Sequence, residues 1–274
     1  MSDRDLRQSS ETMTFFTDIA DKWPVLVNLA RREIRQQYVG SVLGIVWQFV
    51  TPLVLILVFW VVFSVGFRVQ PASGVPFAVW LTAGMAVWFA FSEIVSGSVH
   101  SVTGHPHLVK KVVFPVQALP LVKVLSALSN HGFFLIILFV LMGILGVGTS
   151  AHILQLVYYF VCMVVLALGI GWLVAALNVF TRDTARLVGV LLQVGMWATP
   201  ILWDINILPE PWRSLFAANP MHYVVQGYRD SLFYAVPVTD RLGETVFFWA
   251  ITLALVALGV FVFRRLRPQF ADLV

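Results

Sequence analysis

Six apolar runs of roughly membrane-crossing length leave this chain little freedom. A helix needs about 20 residues to cross a hydrocarbon core some 30 Å thick. Residues 45–67, 75–99, 125–145, 153–180, 187–203 and 245–263 approach or exceed that length with few charges. In lipid every backbone N–H and C=O must be bonded internally, so such runs fold as helices. The first is interrupted mainly by Gln48, Thr51, Pro52 and Ser64, and the fifth is short, with Pro200 near its end. Only 12% of the residues are charged, about half the share of an ordinary soluble domain. The expected fold is therefore an all-α integral membrane protein with six transmembrane helices in one domain over 1–274. Cys162, the single cysteine, falls in the fourth run and is expected to be a small lipid-facing or packing residue. The polar N-terminal segment MSDRDLRQSSETMT lacks the apolar core and cleavage site of a signal peptide, so the first span is expected to act as its own insertion signal.

Basic residues fix the expected orientation. Arg4, Arg7, Lys22, Arg31, Arg32, Arg35, Lys110, Lys111, Lys123, Arg182, Arg186, Arg264, Arg265 and Arg267 fall on one side, against Arg68, Arg213, Arg229 and Arg241 on the other. Lys and Arg collect on the cytoplasmic side, which puts both termini and the central loop in the cytoplasm. The net charge of +4 follows from this pattern and needs no nucleic-acid partner. Residues 12–37 read as an amphipathic helix along the membrane surface. Pro24 suits a first turn, Leu26, Ala30 and Ile34 recur at helical spacing, and Arg31, Arg32 and Arg35 fall on the opposite arc. Trp23 and Tyr38 suit the headgroup level. A solvated basic leader is the alternative.

Two polar segments punctuate the spans. GHPHLVKKVVFPVQALPLVKV at 104–124 is too rich in proline to belong to either flanking span. Between Pro106 and Pro115, residues 108–114 have room for about two helical turns, because proline breaks helix interiors and disfavours helix in the residue before it. The segment reads either as a short basic helix that docks a soluble partner or as an ordinary cytoplasmic loop. The second segment, 204–244, lies outside and mixes four prolines with aromatic residues. Two short amphipathic helices are expected, at 211–218 and 221–234, either dipping into the membrane under protein cover or lying flat on it.

Few residues point to catalysis. No GxxxxGK[ST] loop occurs, so the sequence has no phosphate-binding motif of that type. His100, His105 and His107 cluster without an evident further metal ligand, and no serine elbow suggests a membrane protease. Glu93 is the one carboxylate well inside a span, with Asn130, His131 and Arg182 as candidate partners. Such a group is costly unless paired or wetted, which leaves a packing role and a substrate contact open. Phe59, Phe63 and Phe67 form a stripe in the first span flanked by Trp47 and Trp60, and Gln193 and Trp197 share a face of the fifth. Aromatic faces stack on sugar rings while amides bind hydroxyls, although the same residues also serve as core or interface anchors.

These features in this order resemble a known family. The segments are LARREIRQQYVGSVLGIVWQFVTP at 29–52, HLVKKVVFPVQALPLV at 107–122, LNVFTRDTARLVGVLLQVGMWATPILW at 177–203, ILPEPWRSLFAANPMHYVVQGYRD at 207–230 and the tail FRRLRPQF. Together they resemble the permease subunit of type-two ABC exporters of cell-surface polysaccharide, most closely the O-antigen (Wzm-type) permeases. The resemblance implies a homodimeric conduit in the bacterial inner membrane, paired with two copies of a separate ATPase. That partner would bind ATP and magnesium, with no cofactor in this chain. It further implies a lipid-linked polysaccharide as cargo, exported reducing end first. On the same basis residues 104–114, with His107, Leu108, Val109, Lys110, Lys111 and Phe114, form the coupling helix. Arg31, Arg32 and Arg35 brace it, and Arg182 and Asp183 lie in a second loop beside the ATPase. Residues 205–240 form external re-entrant helices whose gate includes Trp212, Asn219, Pro220, Tyr223 and Arg229. Trp47, Phe59, Trp60, Phe63, Phe67, Glu93, Gln193 and Trp197 are the expected lining of the passage. Capsule and teichoic-acid permeases share the layout, and a standalone secondary carrier is the alternative from another class. An ABC importer is disfavoured because 100–124 lacks the EAA-then-Gly pattern expected there.

Overall fold

A computed structural model describes residues 22–41, 43–69, 74–111 and 114–274. Residues 12–21 of the expected interface helix, Arg4 and Arg7, positions 112–113 of the coupling segment and the side chain of Tyr38 lie outside the described set. Every regular element among the described residues is helical.

Helix α1, Trp23–Tyr38, carries Pro24 in its first turn and packs against the start of α5, Leu119–Ile144. Leu26 and Ala30 are buried, while Arg31, Arg32 and Arg35 are exposed, as the spacing of apolar residues predicts. Helix α2, Trp47–Trp60, contains Pro52 and widens into a π-helical stretch, Val61–Gly66. Proline has no N–H to donate, and a membrane helix tolerates that loss where neighbours or local adjustment re-satisfy the backbone.

Helix α3, Phe77–Val99, is the buried post of the bundle and packs on α5, on α6 (Gln155–Phe180), on α7 (Asp183–Ala198) and on α9 (Pro220–Arg229). Helix α6 also packs along α10, Leu242–Leu266. A Cβ on Gly259 of α10 would stand only 2.2 Å from the Gly169 carbonyl oxygen of α6. The two backbones therefore meet directly, and small residues that permit close packing substitute for a hydrophobic drive that lipid cannot supply.

Five helical stretches are long and apolar enough to cross a membrane: Phe49–Gly66, Phe77–Val99, Val116–Ile144, Gln155–Phe180 and Val238–Leu273. The chain is thus an all-α, multi-pass membrane protein. The fifth expected run behaves differently. Helix α7 has 16 residues, about 24 Å at 1.5 Å each. It stops where Thr199, preceding Pro200, turns extended. Beyond that point Thr199, Ile201 and Leu202 are buried, so the apolar run folds into the bundle instead of lengthening the helix.

The polar segments are short elements. One turn, α4 at Pro106–Val109, forms where the two turns over 108–114 were expected, and of the described residues that follow it Lys110 and Lys111 are not helical. The turn begins on Pro106 and is capped by Lys110, and the residue before Pro115 is a bend, as proline favours. Helices α8, Trp212–Ala217, and α9 correspond to the two short helices expected at 211–218 and 221–234, with α9 continuing as a π turn over Asp230–Tyr234. A last helix, α11, covers Phe270–Leu273.

Candidate functional site

Three regions hold the candidate residues. At one end a distinct apolar cluster joins Leu26 and Ala30 of α1, Val109 of α4, Val122 of α5, Trp172 of α6, Phe263 of α10 and Phe270 of α11. The first helix, α4 and the C-terminal tail are therefore one packed unit. Leu108 and Phe114 pack partly against this cluster, so much of their apolar surface serves the chain itself. His107, Lys110 and Lys111 are exposed beside it. Arg182 and Asp183 are exposed at the α6–α7 junction, where Asp183 pairs with Arg186 at 3.3 Å.

The joint of this unit is a residue the sequence reading passed over. Glu33 Oε1 accepts from Lys123 Nζ at 2.6 Å, and Oε2 accepts from the Ser126 hydroxyl at 3.3 Å. His105 Nε2 lies 3.6 Å from the same carboxylate, while its Nδ1–H donates to the Ser101 carbonyl at 3.0 Å. Glu33 thus ties α1 to α5 and to the loop that carries α4. A signal existed: Glu33 is the only acid in α1 and shares a face with the buried Leu26 and Ala30.

Midway along the bundle lies a cavity of about 510 Å³ lined by Trp47 and Thr51 of α2, Ser92 and Glu93 of α3, Asn130 of α5 and Leu192 of α7, among others. Asn130 Nδ2 donates to both oxygens of Glu93 at 2.9 Å. That is the expected Asn130 partnership. His131 and Arg182 play no part in it. The Nδ1–H of His131 donates to the Ala86 carbonyl at 3.1 Å, leaving Nε2 to accept from the Tyr228 hydroxyl at 3.1 Å. The Ser92 hydroxyl is buried without a partner. The remaining aromatics scatter. Phe59, Phe63 and Phe67 do form a stripe, with successive ring centroids 6.4 and 5.7 Å apart, but Phe59 and Phe63 pack on the core while Phe67 is exposed. Trp60 lines a separate, apolar cavity, and Gln193 and Trp197 lie on the exposed face of α7.

Helices α8 and α9 are set by polar contacts. Asn219 caps α9 by accepting from Met221 N–H at 3.0 Å, and its amide donates to the Thr199 hydroxyl at 2.9 Å. Pro220 occupies the first turn, which needs no N–H. Arg229, only 1% exposed, donates to the carbonyls of Pro200 at 2.8 Å and Ile201 at 3.1 Å and lies 3.4 Å over the Trp80 ring. It holds the chain that turns in after α7. Tyr223 is buried in a relay in which Trp249 Nε1 donates to Tyr158, Tyr158 meets Tyr223 at 3.2 Å, and Tyr223 meets Thr245 at 2.8 Å. Trp212 is exposed on α8. Gly227 lets α9 lie on α6, since a Cβ there would fall 2.1 Å from the Tyr159 ring.

The family model for ABC-2 type transporters matches residues 25–233, from α1 through the π turn after α9. The chain belongs to the ABC-2 type transporter family. As an ABC-2 transporter chain it is similar along most of its length to named relatives. It is 30% identical to the O-antigen export system permease protein RfbA of Myxococcus xanthus over 250 residues, 90% of this chain and 94% of that protein. It is 24% identical to a Klebsiella pneumoniae protein of the same name, over 91% of this chain and 95% of that one. The polysialic acid transport protein KpsM of Escherichia coli is 22% identical over 73% of this chain and 78% of its own length. All three regions of this ABC-2 transporter, the basic end, the cavity around Glu93 and the helices α8 and α9, have residues within the matched span.

Proposed function

We propose that this chain is the membrane subunit of an ABC exporter of lipid-linked cell-surface polysaccharide in a bacterial inner membrane, with both termini cytoplasmic. Relatives named for O-antigen and polysialic acid export support the cargo class. Two copies of the chain form the conduit, and two copies of a separate ATPase, which hold the ATP and magnesium, supply the energy. The chain itself catalyses nothing.

The observation that carries the proposal is the cavity around Glu93, bordered by two helices with unpartnered apolar faces. Leu53, Val54, Leu57 and Val58 of α2, and Leu187, Val190, Leu191 and Val194 of α7, are all exposed. A second copy seated against them closes the cavity into a passage, in which Glu93, Asn130 and Ser92 meet sugar hydroxyls and Trp47 offers an aromatic face. Helix α7, continued by the buried turn at 199–202, acts as the sixth crossing element. Helices α8 and α9 form the re-entrant outer gate, with the backbone of α9 covered by α3, α6 and α10.

At the cytoplasmic end the ATPase docks on His107, Lys110 and Lys111, flanked by Arg31, Arg32, Arg35 and Arg182. The cluster beneath α4 includes the ends of α1, α5, α6 and α10, so a displacement of α4 reaches several helices as one body. Replacing both Lys110 and Lys111 with Glu should abolish export and uncouple it from ATP hydrolysis by reversing charge at the dock, while the thermal midpoint stays near that of the unaltered protein because both side chains are exposed. Export at unchanged rate by the doubly reversed protein, or uphill transport by this chain alone in liposomes, would refute the proposal.

A further inference from the structure

The cavity around Glu93 holds a charge with no opposite beside it. Four helices border this space, α2, α3, α5 and α7, and few of their side chains are charged. Helix α2 and its π-helical continuation have none, and Glu93 is the only one in α3. The one Lys of α5 is Lys123, whose stem lies against Gly97, one turn of α3 from Glu93, but whose ammonium is bonded to Glu33. In α7 Asp183 and Arg186 stand in the exposed first turn and pair with each other. His131, the other titratable side chain at the wall, is taken up by the Ala86 carbonyl and the Tyr228 hydroxyl.

The partner of Glu93 is itself neutral. Asn130 Nδ2 donates to both carboxylate oxygens at 2.9 Å, and neither oxygen donates to an acceptor among the described residues. That is the pattern of an ionised carboxylate, which only accepts. Asn130 orients the group without cancelling its charge. Glu93 is partly exposed, and Thr51 and Ser96, both exposed, stand with it at the wall of the same space of about 510 Å³. A charge this deep in a span is retained where it faces a watery or occupied cavity.

We infer that the exported polysaccharide is uncharged, and that Glu93 is the residue that discriminates against acidic polymers. The inference rests on the export reading above and deepens it by naming the charge class of the cargo. Each copy of the chain brings one Glu93 carboxylate to the passage, and the bordering helices bring no free cation to offset it. A neutral sugar offers hydroxyls, which donate to a carboxylate. An acidic polymer instead brings a carboxylate of its own with every repeat, and each one must pass two like charges in a confined space of low dielectric. An anionic group at the lipid link meets that barrier once per chain, whereas an acidic repeat meets it at every step.

The test uses the full-length chain with its ATPase in proteoliposomes and two cargoes on the same lipid anchor. One is a polymer of alternating glucose and glucuronic acid, and the other is the same polymer with its carboxyls reduced to hydroxymethyl groups. ATP-driven transfer of the neutral polymer should be at least tenfold faster. Tenfold in rate is about 1.4 kcal/mol, less than the repulsion of two like charges a few ångströms apart inside a protein. Glu93→Gln, which keeps the shape and removes the charge, should narrow the ratio to below threefold. Thr51→Lys, at an exposed position of the wall, should narrow it as well by supplying a counter-charge, and keeps the test decisive if the first variant fails to fold. Equal or faster transfer of the acidic polymer by the unaltered chain, or an unchanged ratio in either folded variant, overturns the assignment. Transfer of neither polymer overturns the export reading beneath it, which tells the two failures apart.

Discussion

Removing the Glu33 carboxylate should free α1 from the bundle while leaving the membrane core folded. In Glu33→Ala, Lys123 loses the partner now 2.6 Å away and Ser126 the acceptor at 3.3 Å. The Glu33 and Lys123 side chains are 16% and 19% exposed, so the pair lies between two regimes. Breaking a wholly buried ion pair costs about 3–5 kcal/mol, and exposed pairs contribute less than about 1 kcal/mol. A charge-assisted hydrogen bond in partial burial is worth about 2 kcal/mol. Local opening of α1 should become easier by that amount, which is roughly a 30-fold rise in the open population. Hydrogen exchange on the protein in nanodiscs reads this directly. Amides of α1 should exchange about 30-fold faster in Glu33→Ala, while those of α3 keep their protection. Lys123→Ala should give a similar effect, and the double variant little more, because the two share one interaction. Unchanged exchange in α1, or an equal rise in α3, would show that Glu33 is not the tie between the interface helix and the bundle.

Three further outcomes follow from particular contacts. Gly259→Ala puts a methyl 2.2 Å from the Gly169 carbonyl, so α6 and α10 must part by about 1 Å at a cost of roughly 1–3 kcal/mol; a thermal midpoint equal to that of the parent would contradict the close crossing. Asn219→Ala removes the cap of α9 and should cost about 1 kcal/mol, largely restored in Asn219→Ser, as followed by thermal unfolding in detergent. His222, unfolded near 6.5 and folded at about 4, binds its proton more readily in the unfolded chain. Stability is therefore constant above pH 6.5 and falls as pH drops toward 4, by roughly 3 kcal/mol in all. His222→Gln should flatten that part of the pH–stability curve, and an unaltered curve would argue against the buried neutral ring.

Much of the architecture was legible because the relevant forces are local in sequence. The lengths of α3, α6 and α10 follow from long apolar runs, and the two short helices α8 and α9 from prolines that open them. The Glu93–Asn130 pair was within reach because a carboxylate in a span needs a partner and Asn130 was one of few available. The stop of α7 was signalled by Pro200, which disfavours helix at Thr199, but the burial of residues 199–202 was not, since they are as apolar as the helix they follow. Nor was the placement of Tyr223 and Arg229, whose contacts with Thr245, Trp80 and Pro200 join segments distant in the chain.

The sequence by itself determined that this chain lives in a membrane as helices, which stretches are polar, and which family it resembles. Only the tertiary structure decided which apolar faces are core. Helix α2 is largely exposed and α3 mostly buried, although both are apolar enough to cross a membrane. A lipid-facing leucine and a core leucine meet surroundings of equal polarity, so hydropathy cannot distinguish them, and only the packing of α3 against five other helices does.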